Sequence, residues 1–296
     1  MLKSLLLTRM LRPCVGGGRS FCRANSGNES CLVKTFEQDS IFFIELNRPL
    51  KRNCVSSDMA VMIMDAIERF ENDDGVSVGI MYGKGGNFCA GFDLNEYRHP
   101  DSSRLRIGLA EKLTSRKPII AALDGYTLAA GLELALFCDM RVCEEDAVLG
   151  FLGRRYGIPL VDGGTFRLPK LIGTSKSLDL IMTGKKINGR QAKDMGLIDD
   201  LCAVGCALGN AVSTAMCITK FSQDAVLADR KALLRATYQD MASEAVEKEL
   251  KKGLEIIRKN GPRAAQLFLD EGIGKHGASA IHTPEQIRLR DIPEVF

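Results

Sequence analysis

Histidine is nearly missing from this chain. His99, His276 and His282 are the full complement, and no H-x-x-x-H pattern joins any two of them. The ten cysteines contain no C-x-x-C pair. With neither spacing present, a zinc site and a disulfide framework are both excluded as organising features, and no metal is expected. Beyond Cys14 and Cys22, the scattered Cys31, Cys54, Cys89, Cys138, Cys143, Cys202, Cys206 and Cys217 read mostly as small buried hydrophobes in a reducing compartment. No apolar run approaches the roughly 18 residues of a membrane helix, which excludes a helical span. The G-x-S-x-G elbow of a serine hydrolase is absent. Thr183 to Lys186 reads TGKK, without the upstream glycine or the Ser/Thr that a phosphate loop requires.

What is present is an ordinary globular composition: 45% hydrophobic and 26% charged over 296 residues, enough for one large domain or a domain with an appendage. The first segment differs from the rest. Residues 1–28 carry Lys3, Arg9, Arg12, Arg19 and Arg23 with no acid, and their leucines group on one side of a possible helix. That is the composition of a mitochondrial transit peptide, which sets the expected location as the mitochondrial matrix. Without those positives the formal net charge of +3 falls to about −2 for a chain beginning near residue 29. The basic balance therefore belongs to the leader, and a nucleic-acid partner loses its main support.

From residue 31 the chain alternates strand and helix signals. Cys31 to Phe36 and Ile41 to Leu46 form a hairpin pattern. The loop Asn47 to Asn53 follows, then a helix capped by Ser56 or Ser57 with Met59, Ile63, Ala66, Ile67 and Phe70 at helical spacing. Val76 to Tyr82 is a short strand leading into the glycine-rich GKGGNFCAGFDLNEY and a further helix start. Pro118 to Leu123 repeats the plan, with strand candidates again at 140–143 and 147–152. Successive strand, glycine-rich loop and helix units imply an α/β fold with right-handed crossovers and loops gathered at one end, where the chemistry belongs. After Asp162 come short helices, a return to the sheet within Leu197 to Val204, and then helices over 207–220, 222–241, 244–260 and 263–271. Such a terminal block serves as a lid or an oligomer interface. The segments divide into a core over 29–205, a helical region over 206–272 and a tail over 273–296.

The stretch Gly125 to Asp139, GYTLAAGLELALFCD, reads as a turn feeding a helix that opens near Ala130. The first N–H groups of a helix lack partners within it, and the macrodipole adds partial positive charge, so an oxyanion is stabilised there. Glu133, three residues on, lies nearly one turn away on the same face.

The segments NRPLKRN, GGNFCAGFDL, KPIIAALDGYTLAAGLELALFCDMRV and GIPLVDGGTFRLPKLIGTSKSLDLIMTGKKINGRQAKDMGLID, in this order, resemble the enoyl-CoA hydratase/isomerase, or crotonase, superfamily. The match runs from about residue 31 to 272. It implies a crotonase-like spiral of repeated ββα units with a C-terminal helical oligomerisation region, assembling as trimers or pairs of trimers. It also implies an acyl-CoA or enoyl-CoA thioester as substrate, with coenzyme A carried on the substrate rather than as a separate cofactor, and no membrane partner. By motif position the backbone N–H groups of Phe92 and Ala130 form the family's oxyanion hole. Ala90, Gly91, Asp93, Leu94 and Asn95 lie along the coenzyme A, with Gly131 beside the thioester and basic residues of the Asn47 to Asn53 loop toward the phosphates.

Glu133 matches the first of the two glutamates used by hydratases of the family; the second position is Gly153, which can neither activate water nor deliver a proton. The stretch FLGRRYGIPLVDGGT offers Arg154, Arg155, Tyr156 and Asp162 instead; arginine, with a pKa above about 12, is no base, whereas Asp162 stands where the dienoyl-CoA isomerase branch carries a working aspartate, and also where a helix N-cap is expected. Two mechanisms follow from the resemblance, hydration with Glu133 and Asp162, or isomerisation or decarboxylation with a single carboxylate. A non-catalytic acyl-CoA-binding scaffold is the alternative of another class.

Overall fold

The computed structural model describes residues 31–99, 104–238 and 242–272; the leader expected over 1–28 and the tail expected over 273–296 lie outside them. Strands β1 (Val33–Gln38) and β2 (Ile41–Leu46) pair antiparallel from Val33↔Leu46 to Gln38↔Ile41. The two turn residues, Asp39 and Ser40, both take positive φ, which matches the twist of a tight hairpin. Strands β3 (Val78–Gly83), β4 (Ile119–Leu123), β6 (Met140–Glu144) and β9 (Asp200–Cys202) then add in parallel, giving the order β1-β2-β3-β4-β6-β9. A second sheet of β5 (Tyr126–Leu128), β7 (Val148–Gly150) and β8 (Ile187–Asn188) lies in the order β5-β7-β8. Single bridges Cys89↔Thr127 and Val55↔Phe92 extend its line toward the start of the chain.

The logic of the spiral is in that pairing. Each circuit lays a strand in the large sheet, then a short extended piece beside the small one, then a helix or helical turn. Val55 precedes α1 (Ser57–Asn72), and β5 precedes α2 (Ala130–Phe137). These are the repeated ββα units expected from the sequence. Tyr126 to Leu128, expected as a turn, is a strand, because its backbone pairs with β7 on one side and Cys89 on the other. The helix expected after the glycine-rich loop is only the 3-10 turn Glu96–Arg98.

Both faces of the large sheet are covered, which is why its parallel strands read as continuous apolar runs. On one face, Ile41, Phe43, Val78, Ile80, Ile120 and Val142 meet Ala207, Ala211 and Ala215 of α6 (Ala207–Thr219). Alanine at every fourth position lets this helix lie close to the strands. The other face carries the main core, including Met59, Ile63, Ile67 and Phe70 of α1; Ser56 caps that helix by accepting from the Met59 N–H at 3.3 Å. The described cysteines are all free thiols, and Cys89, Cys138, Cys143 and Cys202 are buried.

Between these sheets and the C-terminus run α3 (Gly164–Ile172), α4 (Thr174–Thr183) and α5 (Gly189–Met195). Helices α7 (Gln223–Tyr238) and α8 (Ala242–Ala265) then fold back on the core. The Arg230 guanidinium grips both carboxylate oxygens of Asp139, at 2.8 and 3.0 Å, and donates to the Ser115 carbonyl at 2.8 Å. The helical pieces expected to part near Asn260 are one run through Pro262, followed by a π-helical turn at Gln266–Asp270. Gly261 is there for contact rather than termination: a Cβ at this position lies 2.9 Å from that of Tyr97, in the Glu96–Arg98 turn.

Candidate active site

The glycine-rich loop after β3 is held by buried Asn53. Its amide donates to the carbonyls of Lys84 and Asn87, at 3.0 and 2.6 Å, and its oxygen accepts from the Arg48 N–H. The loop then closes on the start of α2. Gly91 has φ +110, a conformation costly for any residue with a Cβ, and an added Cβ meets the Leu128 carbonyl at 3.1 Å and the Ala130 nitrogen at 3.8 Å. Gly131 is still tighter, with a Cβ 2.2 Å from the Cys89 carbonyl oxygen. Two glycines thus bring the backbone of Phe92 beside that of Ala130. Neither the Phe92 nor the Ala130 N–H has a backbone acceptor among the described residues. Ala129, at φ 49 and ψ −121, reverses the chain before α2 in a region that costs a non-glycine residue on the order of 1–3 kcal/mol.

These elements wall a cavity of about 510 Å³, lined chiefly by apolar side chains such as Phe92, Leu128, Phe151, Ile158, Leu160 and Phe268. Phe268 and Leu269 come from the C-terminal turn, so the helical tail forms part of the wall, with Phe268 edge-on to Tyr156. Ala90, Gly91, Phe92, Asp93, Leu94, Asn95, Ala130, Glu133, Gly153 and Asp162 all border it. Gly131 does not. Its backbone instead approaches the Cys89 carbonyl.

Glu133 is buried on the first turn of α2, with Oε1 accepting the N–H groups of Asp162 and Gly164, both at 2.9 Å. Asp162, also buried, is not the N-cap of α3. Gly163, at φ 88, occupies that position without a side-chain cap. The Asp162 carboxylate turns instead to the segment before β4: Oδ2 accepts from the Ile107 N–H at 2.9 Å, and Oδ1 from Gly108 and Leu109 at 2.8 and 3.0 Å. Burial pushes its pKa up, against the pull of those three amides and of Arg106. Buried Arg167 completes the knot, donating to the carbonyls of Asp162, Leu109, Lys112 and Leu113.

The basic loop is divided. Arg48 pairs with Asp93 at 2.6 Å and donates to the Cys54 carbonyl, so both residues brace the loop. Lys51 and Arg52 border the cavity, and the Arg52 guanidinium stacks over Tyr126, 4.9 Å from its centroid. Two wall residues, Tyr97 and Arg106, were not singled out by the sequence. Tyr97, the last residue of GFDLNEY, is buried against Phe92 with ring centroids 5.6 Å apart. Burial, then the Asp162 and Glu133 carboxylates, raise its pKa, so it stays a neutral hydroxyl. Arg106 is the other, and Arg155, offered by the RR at 154–155, also borders the cavity.

Converging backbone donors above an apolar cavity, with a buried carboxylate on the same helix turn, suit the development of negative charge on a carbonyl and proton transfer beside it. The model of the enoyl-CoA hydratase/isomerase family matches residues 36–266. A 2,3-dehydroadipyl-CoA hydratase of Escherichia coli is 32% identical over 213 residues, covering 70% of this chain and 83% of the relative. A probable mitochondrial enoyl-CoA hydratase 2 of Arabidopsis thaliana is 33% identical over 78% of this chain and 73% of its own length. Among solved structures, an enoyl-CoA hydratase from Mycobacterium tuberculosis superposes with a TM-score of 0.66 at 32% identity, covering 74% of this chain and 88% of that one. The chain is therefore a member of the enoyl-CoA hydratase/isomerase family and has the crotonase fold.

Proposed function

We propose that this protein binds an acyl-CoA thioester, stabilises its enolate between the N–H groups of Phe92 and Ala130, and transfers protons through Glu133. The observation that carries the reading is the closure of the glycine-rich loop onto α2, where Gly91 brings one unpaired amide beside the other. Two preorganised donors at about 2.7–3.1 Å from a developing oxyanion stabilise it strongly in a site closed to water, and losing one typically costs about 10²–10³ in rate. Glu133, in the wall beside them, is the acid/base. Asp162, with three amides on its carboxylate, is a positioning residue that orders the 107–109 segment and, through its own N–H, aims Glu133.

Enoyl-CoA hydration is the first assignment. Glu133 deprotonates the attacking water at Cβ, and the enolate takes its proton at Cα from the same group. Gly153 favours a second reading, because isomerisation of a double bond needs only one carboxylate to carry a proton between carbons of a dienolate; protonation of the enolate left by decarboxylation needs no second base either. Lys51 and Arg52 at the rim suit the phosphates of coenzyme A. The 1–28 leader, together with the mitochondrial relative, supports a mitochondrial matrix location, and α7, which buries none of its residues within the chain, suits self-association as a trimer or hexamer.

The test is spectroscopic. Loss of the conjugated thioester absorbance with 2-enoyl-CoAs identifies hydration, its gain from 3-enoyl-CoAs identifies isomerisation, and acyl-CoA binding with neither change, and with no CO₂ released from carboxylated acyl-CoAs, refutes the enzymatic reading in favour of a scaffold.

A further inference from the structure

The acyl end of the cavity carries more positive charge than the chemistry above uses. Arg106 borders the cavity and spends Nη2 on Glu111, at 2.5 Å, where the glutamate is largely exposed. Its Nη1 is fully buried and meets no acceptor. Arg155 also borders the cavity, half-buried, and among the described residues no carboxylate or carbonyl accepts a hydrogen bond from it. It lies close enough to Tyr156 to act electrostatically on that hydroxyl, in the direction opposite to burial. The carboxylates of the wall do not neutralise these cations by contact. Asp162 is engaged by backbone amides, Asp93 by Arg48, and neither Arg106 nor Arg155 forms an ion pair with Glu133.

A guanidinium that borders a mostly apolar cavity while no carboxylate or carbonyl accepts from it, as at Arg155, is best completed there by an anionic ligand. The ligand also has a defined place. Arg106 immediately precedes Ile107, whose N–H binds Asp162, and Arg155 follows Gly153 by two residues in the turn Leu152–Tyr156. Both therefore stand on the elements that carry Asp162 and Gly153, separate from the Lys51–Arg52 rim proposed for the coenzyme A phosphates. Guanidinium groups bordering this wall suit a small, planar, monoanionic acceptor, which guanidinium pairs with in a two-point geometry. Glycine at 153 leaves this wall without the carboxylate that would repel such an anion.

We infer that Arg106 and Arg155 form a carboxylate-recognition subsite, and that the substrate is a dicarboxylic acyl thioester whose acyl chain ends in a second carboxylate. This rests on the acyl-CoA reading and specifies its substrate class. The experiment compares, by isothermal titration, two saturated six-carbon acyl-CoAs that differ only in a terminal carboxylate. The expected result is binding of the carboxylated thioester tighter by about ten- to hundredfold, the worth of one or two hydrogen bonds to a charged group. In Arg155→Gln and Arg106→Gln the advantage collapses while affinity for the unsubstituted chain stays within about twofold. Equal or weaker binding of the carboxylated thioester, or an advantage that survives both substitutions, overturns the subsite. Tight binding of the unsubstituted chain in that event leaves the acyl-CoA reading standing; binding of neither thioester overturns both.

Discussion

Replacing Glu133 separates its structural work from its chemical work, because glutamine and alanine break different parts of the same arrangement. The carboxylate is 2% exposed, and Oε1 accepts two backbone N–H groups at 2.9 Å. In Glu133→Gln the amide oxygen still accepts both, and what is lost is the charge-assisted part of two hydrogen bonds, about 1–2 kcal/mol in all. In Glu133→Ala two buried amides lose their acceptor, at about 1–3 kcal/mol each, so a loss of about 3–5 kcal/mol is expected. Turnover should fall by about 10²–10⁴ in both, since neither residue transfers a proton. Urea denaturation supplies the stabilities, and steady-state rates together with the Kd of a saturated acyl-CoA supply the rest. The reasoning predicts a glutamine variant that is folded, binds thioester and is inactive. Turnover within tenfold of the native rate in Glu133→Gln, or an alanine variant as stable as the native chain, refutes it.

Asp162→Asn places an amide N–H against one of the three backbone N–H donors, so it should cost about 1–3 kcal/mol of stability and lower turnover through misplacement, seen as a drop in denaturation midpoint alongside the rate. Asp124 offers a pH test. Burial, and then the neighbouring Glu144, push its carboxyl up to about 7 from the ordinary 3.8, and Oδ1 has no partner. A raised carboxyl means that the folded state holds the proton longer, so its contribution is complete below about pH 4 and is lost as pH rises through about 7. Asp124→Asn should therefore match the native chain near pH 4 and exceed its stability by about 1–3 kcal/mol at pH 8, in parallel denaturation curves; a difference independent of pH contradicts this.

How far the sequence revealed the site follows from the range of the interactions. The placement of Phe92, Ala130 and Glu133 together on the cavity wall was legible because each owes its position to a local motif, a glycine-rich turn or the first turn of a helix. Asp162 was placed at the site but misjudged as a cap, because its partners Ile107, Gly108 and Leu109 lie 53 to 55 residues away and no local pattern joins them. Gly131 sits in the same motif, and its backbone approaches a carbonyl from another unit, which the motif alone does not reveal. Tyr97, Arg106 and Arg155 bear on the cavity only after the C-terminal helix and the 152–156 turn close its wall. Likewise the break expected after Asn260 was inferred from Gly261–Pro262, whereas packing on Tyr97 uses the glycine and the helix continues.

The central claim is that the amides of Phe92 and Ala130 hold a thioester oxygen, and isotope-edited infrared spectroscopy of a bound, unreactive acyl-CoA labelled at the thioester carbonyl tests it most directly. Two short hydrogen bonds should move the carbonyl band to lower frequency than in free ligand. Gly91→Ala, whose Cβ lies 3.8 Å from the Ala130 nitrogen at a φ of +110, should bring the band back toward the free position. A bound carbonyl that absorbs where the free one does contradicts the account.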